Sequence, residues 1–255
     1  MSSRSRTSMA SPALARVVEL VVHRGTQRVL DGVSETLCQG EVVAIMGENG
    51  SGKTTLIEAF AGLLPLRSGD VIWAENGNSI VVRDSQGRRN QPPSMGLTLQ
   101  KGGVCGEETV MERISVSLSV AGIEHSDDQI MELLSLWGLE HRANDRLAHL
   151  SGGLRRRVAI LGGLAPAALS NSPLVVLLDE PSEGLDDSAK DILRSWIRSL
   201  SSRNHAILMA THDKDISSSA DRVLTIRDGS IAVSYTHLRA HETKANLVCR
   251  LLLEK

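Results

Sequence analysis

The chain has 255 residues, 41% hydrophobic and 23% charged, with a formal net charge of −2. These are the proportions of a folded domain and exclude a disordered or collagen-like chain. No apolar run approaches the ~20 residues a spanning helix needs, and Cys38, Cys105 and Cys249 lack metal-ligand or disulfide spacing, so the chain reads as cytoplasmic and without membrane insertion of its own. Aromatics are only 2%, which leaves the core to Val, Ile, Leu and Ala.

Residues 1–12 are rich in Ser and Arg, and Arg16 and Glu19 break the one apolar stretch that could serve as a signal peptide. A disordered tail is expected there. Strands follow over Val17–Val22 and Val29–Leu37, separated by a turn across His23–Arg28. The apolar run Val42–Met46 then feeds Gly47-Glu48-Asn49-Gly50-Ser51-Gly52-Lys53-Thr54, and the run beginning at Thr55 reads as a helix. The octapeptide fits G-x-x-x-x-G-K-[ST] in the strand–loop–helix setting that gives the pattern meaning. Its glycines let backbone N–H groups turn onto phosphate oxygens, while the helix N-terminus adds partial positive charge. Lys53 is placed to reach the β- and γ-phosphates of a nucleotide such as ATP, and Thr54 offers a hydroxyl to Mg²⁺.

A hairpin is expected over Asp70–Trp73 and Ser79–Arg83, then a polar loop over Asp84–Ser94 and a brief strand over Gly96–Gln100. Helical spacing sets in from Thr109 to Trp137, with Ile114, Leu118 and Ala121 on one stripe and Ile130, Leu133, Leu134 and Trp137 on another. Ser151-Gly152-Gly153 opens a further helix, with Ser151 as its cap. Its charged run Arg155-Arg156-Arg157 reads as a solvated helix face, and His125, His141 and His149 as surface residues. The run Leu174–Leu178 has the look of a strand buried on both faces, and it delivers Asp179 and Glu180 at its C-terminal end. Asp179 is the candidate for the Mg²⁺ shell, and Glu180 the candidate to deprotonate water. A helix over Asp187–Ser199, a buried strand over Ala206–Ala210 and a hairpin from Arg222 complete the order. Strands alternating with helices behind a phosphate loop predict an α/β fold with a parallel-sheet core.

Taken together these residues resemble the nucleotide-binding subunits of ABC transporters, over about Val17 to Ala232. Gln100 stands where that family has its Q-loop glutamine. Leu150-Ser151-Gly152-Gly153-Leu154 is similar to the LSGGQ signature, with Leu154 in place of the glutamine. Ser182–Asp186 resembles the D-loop, Thr211-His212-Asp213 the H-loop, and Asp228-Gly229 the turn that follows. The resemblance implies a phosphate-loop NTPase fold with an N-terminal antiparallel β subdomain and a helical signature subdomain inserted at about 101–160, the whole domain spanning 13–232. It implies an ATPase with ATP and Mg²⁺ as cofactors. Glu180, His212 and Gln100 would be catalytic, and Thr54, Gln100 and Asp179 would hold the metal. Gly47 to Thr55 would bind nucleotide, joined by Ser151, Gly152, Gly153 and Asp186 from a head-to-tail second subunit. The family stacks adenine on an aromatic residue just after the first strand; His23 is the nearest candidate here.

A separate permease is the implied membrane partner, which would hold the chain at the inner face of the cell membrane. The segment Lys101–Ile114 and the Asp179–Asp186 run resemble an exporter subfamily, so export ranks above import. A translation or DNA-maintenance ATPase is disfavoured by the single domain without heptads, and a phosphate-loop kinase leaves Leu150–Gly153 unexplained. The run Val233–Thr243 resembles a translated sequencing adapter, as does the end of the chain from Asn246, with room for an index between them. Residues 233–255 are therefore set aside; without their four basic and two acidic residues the net charge is −4, which is no footprint for nucleic acid.

Overall fold

Short apolar strands buried on both faces organise this fold, described here from a computed structural model covering residues 11–75, 77–100 and 106–236, with backbone alone over 233–236. The first residues form an antiparallel sheet. Strand β1 (Ala13–Arg24) turns through Gly25-Thr26 into β2 (Gln27–Cys38), so the turn is shorter than the expected His23–Arg28. After β3 (Val42–Met46) and helix α1 (Lys53–Phe60) come β4 (Ser68–Glu75), which pairs with the far edge of β1, and β5 (Asn78–Asp84), which pairs with β4.

The second sheet has six strands. Strand β6 (Met95–Thr98) stops short of Gln100, which lies in the bend beyond it rather than in the strand. With β7 (Val175–Asp179), β8 (Ala206–Ala210), β9 (Arg222–Arg227) and β10 (Ser230–Thr236) the order is β10-β9-β3-β8-β7-β6, parallel except for β10. Within β3, β7 and β8, successive side chains point to opposite faces. Ala44, Val176, Leu178, Ile207 and Met209 enter one core, with the helices. Val43, Ile45, Val175, Leu177 and Leu208 enter the other, with α1 and the antiparallel sheet.

Helices α2 (Val110–Val120) and α3 (Asp127–Leu136) each begin with a reciprocal capping box, Thr109 with Glu112 and Ser126 with Gln129. They bury the two predicted stripes, and Trp137 at the end of α3 meets Trp196 edge-on at 5.7 Å. The long helix α4 (Gly152–Leu169) then crosses from this helical layer to the sheet. Gly163 of α4 and Gly96 of β6 meet backbone to backbone, where a side chain at either would overlap the other element. Helices α5 (Asp187–Ser202) and α6 (Lys214–Ser217) follow β7 and β8. Lys101–Cys105, the start of the expected helical insertion, lies outside the described residues, as do 1–10 and 237–255.

His205, just before β8, is 1% exposed and its Nδ1 accepts the Leu174 N–H at 3.0 Å. Burial, helped by the Arg203 charge, pushes its pKa from 6.5 down to about 4. The unfolded chain therefore binds the extra proton between those values. The stabilisation is complete above the unfolded value and is lost as pH falls toward 4. Urea titrations at pH 7 and pH 5 should show the wild type losing about 2 kcal/mol more than His205→Asn; an equal loss would exclude a buried neutral His205.

Candidate functional site

The phosphate loop sits between β3 and α1, and its conformation is one that only glycine allows at two points. Gly47 has φ +153° and Gly52 φ +111°; a Cβ on Gly47 would stand 2.6 Å from the Ile226 carbonyl, and one on Gly52 2.9 Å from Leu30. Lys53 is buried and folds back, its Nζ donating to the carbonyls of Gly47 (2.8 Å) and Glu48 (3.1 Å). Glu48, Asn49 and Gly50 are exposed, while Ser51 and Thr54 are half-buried and Thr55 is buried. No side chain caps α1, so its first N–H groups stay available to an anion.

Two carboxylates arrive at the end of β7. Asp179 is fully buried, and neither of its oxygens has a hydrogen-bond partner among the described residues. Burial raises its pKa; the nearby Thr54 hydroxyl, the main-chain N–H of Gln100 and the Arg156 and Lys53 charges oppose that rise. Glu180 turns the chain at φ +46°, a region ordinary residues avoid. Its N–H donates to Ala210 O at 2.8 Å, and its Oε2 accepts His212 Nδ1–H at 2.8 Å and the His212 backbone N–H at 3.3 Å. His212 itself is 69% exposed.

Gln100, also exposed, donates from Nε2 to Glu183 Oε2 at 3.0 Å. Ser151 caps α4 through Leu154 N–H, and Ser151, Gly152 and Gly153 all face outward. No hydrogen bond among the described residues joins them to the phosphate loop. Asp186 caps α5 by accepting from Ala189 N–H and pairs with Arg157 at 2.6 Å, and these two contacts hold its pKa low. His23 lies within β1 opposite Arg28, half-buried, and makes no side-chain hydrogen bond among the described residues.

The arginine run is corrected by the structure. Arg155 is exposed, but Arg157 reaches Asp186, and Arg156 turns inward to the ends of β6 and β7. Burial lowers the Arg156 pKa, against the charges of Glu183, Asp179 and Glu180. Its partners are main-chain carbonyls, which carry no sequence signal. His125 is also less free than expected: its ring bonds to Ser115 Oγ and Ile123 O, both at 2.9 Å.

A protein-family model described as ABC transporter matches residues 30–183. The chain belongs to the ABC transporter family. It is 34% identical over 214 residues to a macrolide export ATP-binding/permease protein of Psychrobacter cryohalolentis, covering 82% of this chain and 31% of that relative. The chain thus spans about a third of such relatives. It is 35% identical over 246 residues to an Fe(3+) ions import ATP-binding protein of Streptomyces coelicolor, covering 94% and 67%. A solved ATP-binding subunit of an ABC transporter, 25% identical, superposes with TM-score 0.75 over 88% of this chain and 90% of its own. This ABC domain has the fold of the family's ATP-binding subunits.

Asp179→Asn removes a buried carboxylate that makes no hydrogen bond among the described residues, while keeping its shape. The nucleotide-free thermal midpoint should rise by about 2–4 °C, the shift expected for ~1 kcal/mol in a domain of this size. A fall, measured by calorimetry, would show that the carboxylate is stabilising by itself.

Proposed function

We propose that this chain is the ATP-hydrolysing subunit of a transporter, working with a second ATP-binding subunit and a separate permease, in the direction of export. The observation that carries the catalytic reading is the Glu180–His212 pair beside Asp179, whose carboxylate lacks a partner. A buried carboxylate without a hydrogen bond costs several kcal/mol, roughly, unless a cation compensates it. Asp179 and the neighbouring Thr54 hydroxyl suit Mg²⁺, a hard cation that takes oxygen ligands and keeps phosphate and water in its shell. Gln100 would join them on release from Glu183. When bound, Mg²⁺ neutralises charge on the β- and γ-phosphoryl oxygens.

The loop backbone over Gly47–Thr55 and the Lys53 ammonium hold the phosphates. Glu180 takes the proton of the attacking water, aimed by His212, whose Nδ1–H is committed to Glu180 and whose Nε2, without a hydrogen bond among the described residues, would meet the γ-phosphate. Ser151, Gly152 and Gly153 are exposed and make no hydrogen bond to their own loop among the described residues, which suits completion of the site on a second subunit, with Asp186 close to that interface. His23 remains the candidate to stack on adenine.

Export rests on the exporter-like segments Lys101–Ile114 and Asp179–Asp186 and on the macrolide-export relative. The iron-import relative supports import as the second reading. No helix among the described residues is long and apolar enough to cross a membrane, and we place the chain peripherally, at the inner face, through its permease. The domain itself we assign to residues 13–232, with 1–12 and 233–255 outside it.

Glu180→Gln should slow turnover by about 100-fold or more and hold the protein as an ATP-bound dimer in size-exclusion chromatography. A monomer that hydrolyses ATP at the wild-type rate would refute the base assignment. Among the described residues, truncation after Ala232 removes only the end of β10, an edge strand that keeps its pairing with β9 at Ser230 and Ile231. It should therefore leave turnover unchanged and the melting temperature within about 2 °C; loss of the folded domain would show that residues 233–255 belong to it.

A further inference from the structure

We infer that Arg156 is a positioning residue for hydrolysis, its guanidinium tying Leu99, Asp179 and Glu180 to the helix that carries Ser151–Gly153. This rests on the reading of Glu180 as the base. The hydrogen bonds run from Nη1 to Leu99 O (3.2 Å) and from Nη2 to Asp179 O (3.0 Å) and Glu180 O (2.6 Å). The planar fork of arginine can serve several carbonyls at once, which the single ammonium of lysine does less well.

Each partner sits at a decisive point. Leu99 directly precedes Gln100, and Asp179 and Glu180 are the carboxylates at the end of β7. Glu180 is also held at φ +46°, a conformation that persists only where its surroundings fix it. Ala210 O holds its N–H, His212 holds its carboxylate, and Arg156 holds its carbonyl. Of these three contacts only Arg156 comes from α4, little more than a turn beyond Ser151. Displacement of Ser151–Gly153 by a closing partner is therefore transmitted along a rigid helix to the backbone of the base. Arg156 Nε stays buried without a partner, so the side chain gives up one donor to reach these carbonyls.

The test compares the full-length wild type with Arg156→Met, Arg156→Lys and Glu180→Gln, measuring kcat, ATP affinity by calorimetry, and thermal midpoint. Arg156→Met should lower kcat about tenfold or more with ATP affinity within about threefold, and Arg156→Lys should recover part of the rate. Unchanged kcat in Arg156→Met overturns the inference. So does a loss in which affinity and melting temperature fall in step with rate and lysine rescues nothing, because that is the behaviour of a merely structural residue. Wild-type turnover in Glu180→Gln would instead defeat the base reading, on a different variant. Should Arg156→Met fail to fold, Arg156→Gln, which keeps two donors, is measured with the same two outcomes.

Discussion

Strands β3, β7 and β8 are covered on both faces, so side chains along their length are committed to packing and only their ends can meet a ligand. Everything chemical in the molecule follows from that restriction. The phosphate loop leaves β3, Asp179 and Glu180 leave β7, and Thr211 and His212 leave β8, whose parallel register brings Asp179 opposite Ala210. Adjacent parallel strands that end together deliver groups distant in sequence to one edge without any long loop to hold them. Thr211 N–H donates to Ile45 O at 3.0 Å, closing this edge just below the phosphate loop.

The same edge concentrates the polar cost of the fold. Among the described residues, four of the seven buried side-chain polar atoms without a partner belong to Ser51, Arg156 and Asp179. The other three belong to Arg113, Trp137 and Glu140 in the helical layer, while Trp73 Nε1–H donates to Phe60 O, and Arg222 is fixed by Glu35, Glu41 and Thr36 O. Polar groups left open together at one strand edge mark where binding energy is available. Stability is given up there so that a charged ligand can recover it.

Sequence showed this site where its chemistry is local. The glycines at 47 and 52, the β-to-α transition and the two carboxylates after an apolar strand are each decided within about ten residues. What stayed hidden joins distant segments through groups without a signature. Arg156 looked like one of three solvated arginines because its partners are carbonyls 57 and 24 positions away. The Gln100–Glu183 contact spans 83 positions and was equally unreadable. Strand β1 also extends well past Val17–Val22, because bulges near Glu19 let it bend and keep pairing with both β2 and β4, and local patterning does not announce a bulge.

The edge-on pair of Trp137 and Trp196 gives the molecule an internal optical gauge. One indole ends α3 in the helical layer and the other belongs to α5 beside the sheet, 67° apart in plane. The third tryptophan, Trp73, is buried in the opposite core. Two indoles at this separation couple their transitions, and the coupling depends on their mutual angle. Near-ultraviolet circular dichroism of the unlabelled protein therefore reads the orientation of the helical layer against the sheet, in whatever state the nucleotide site is held.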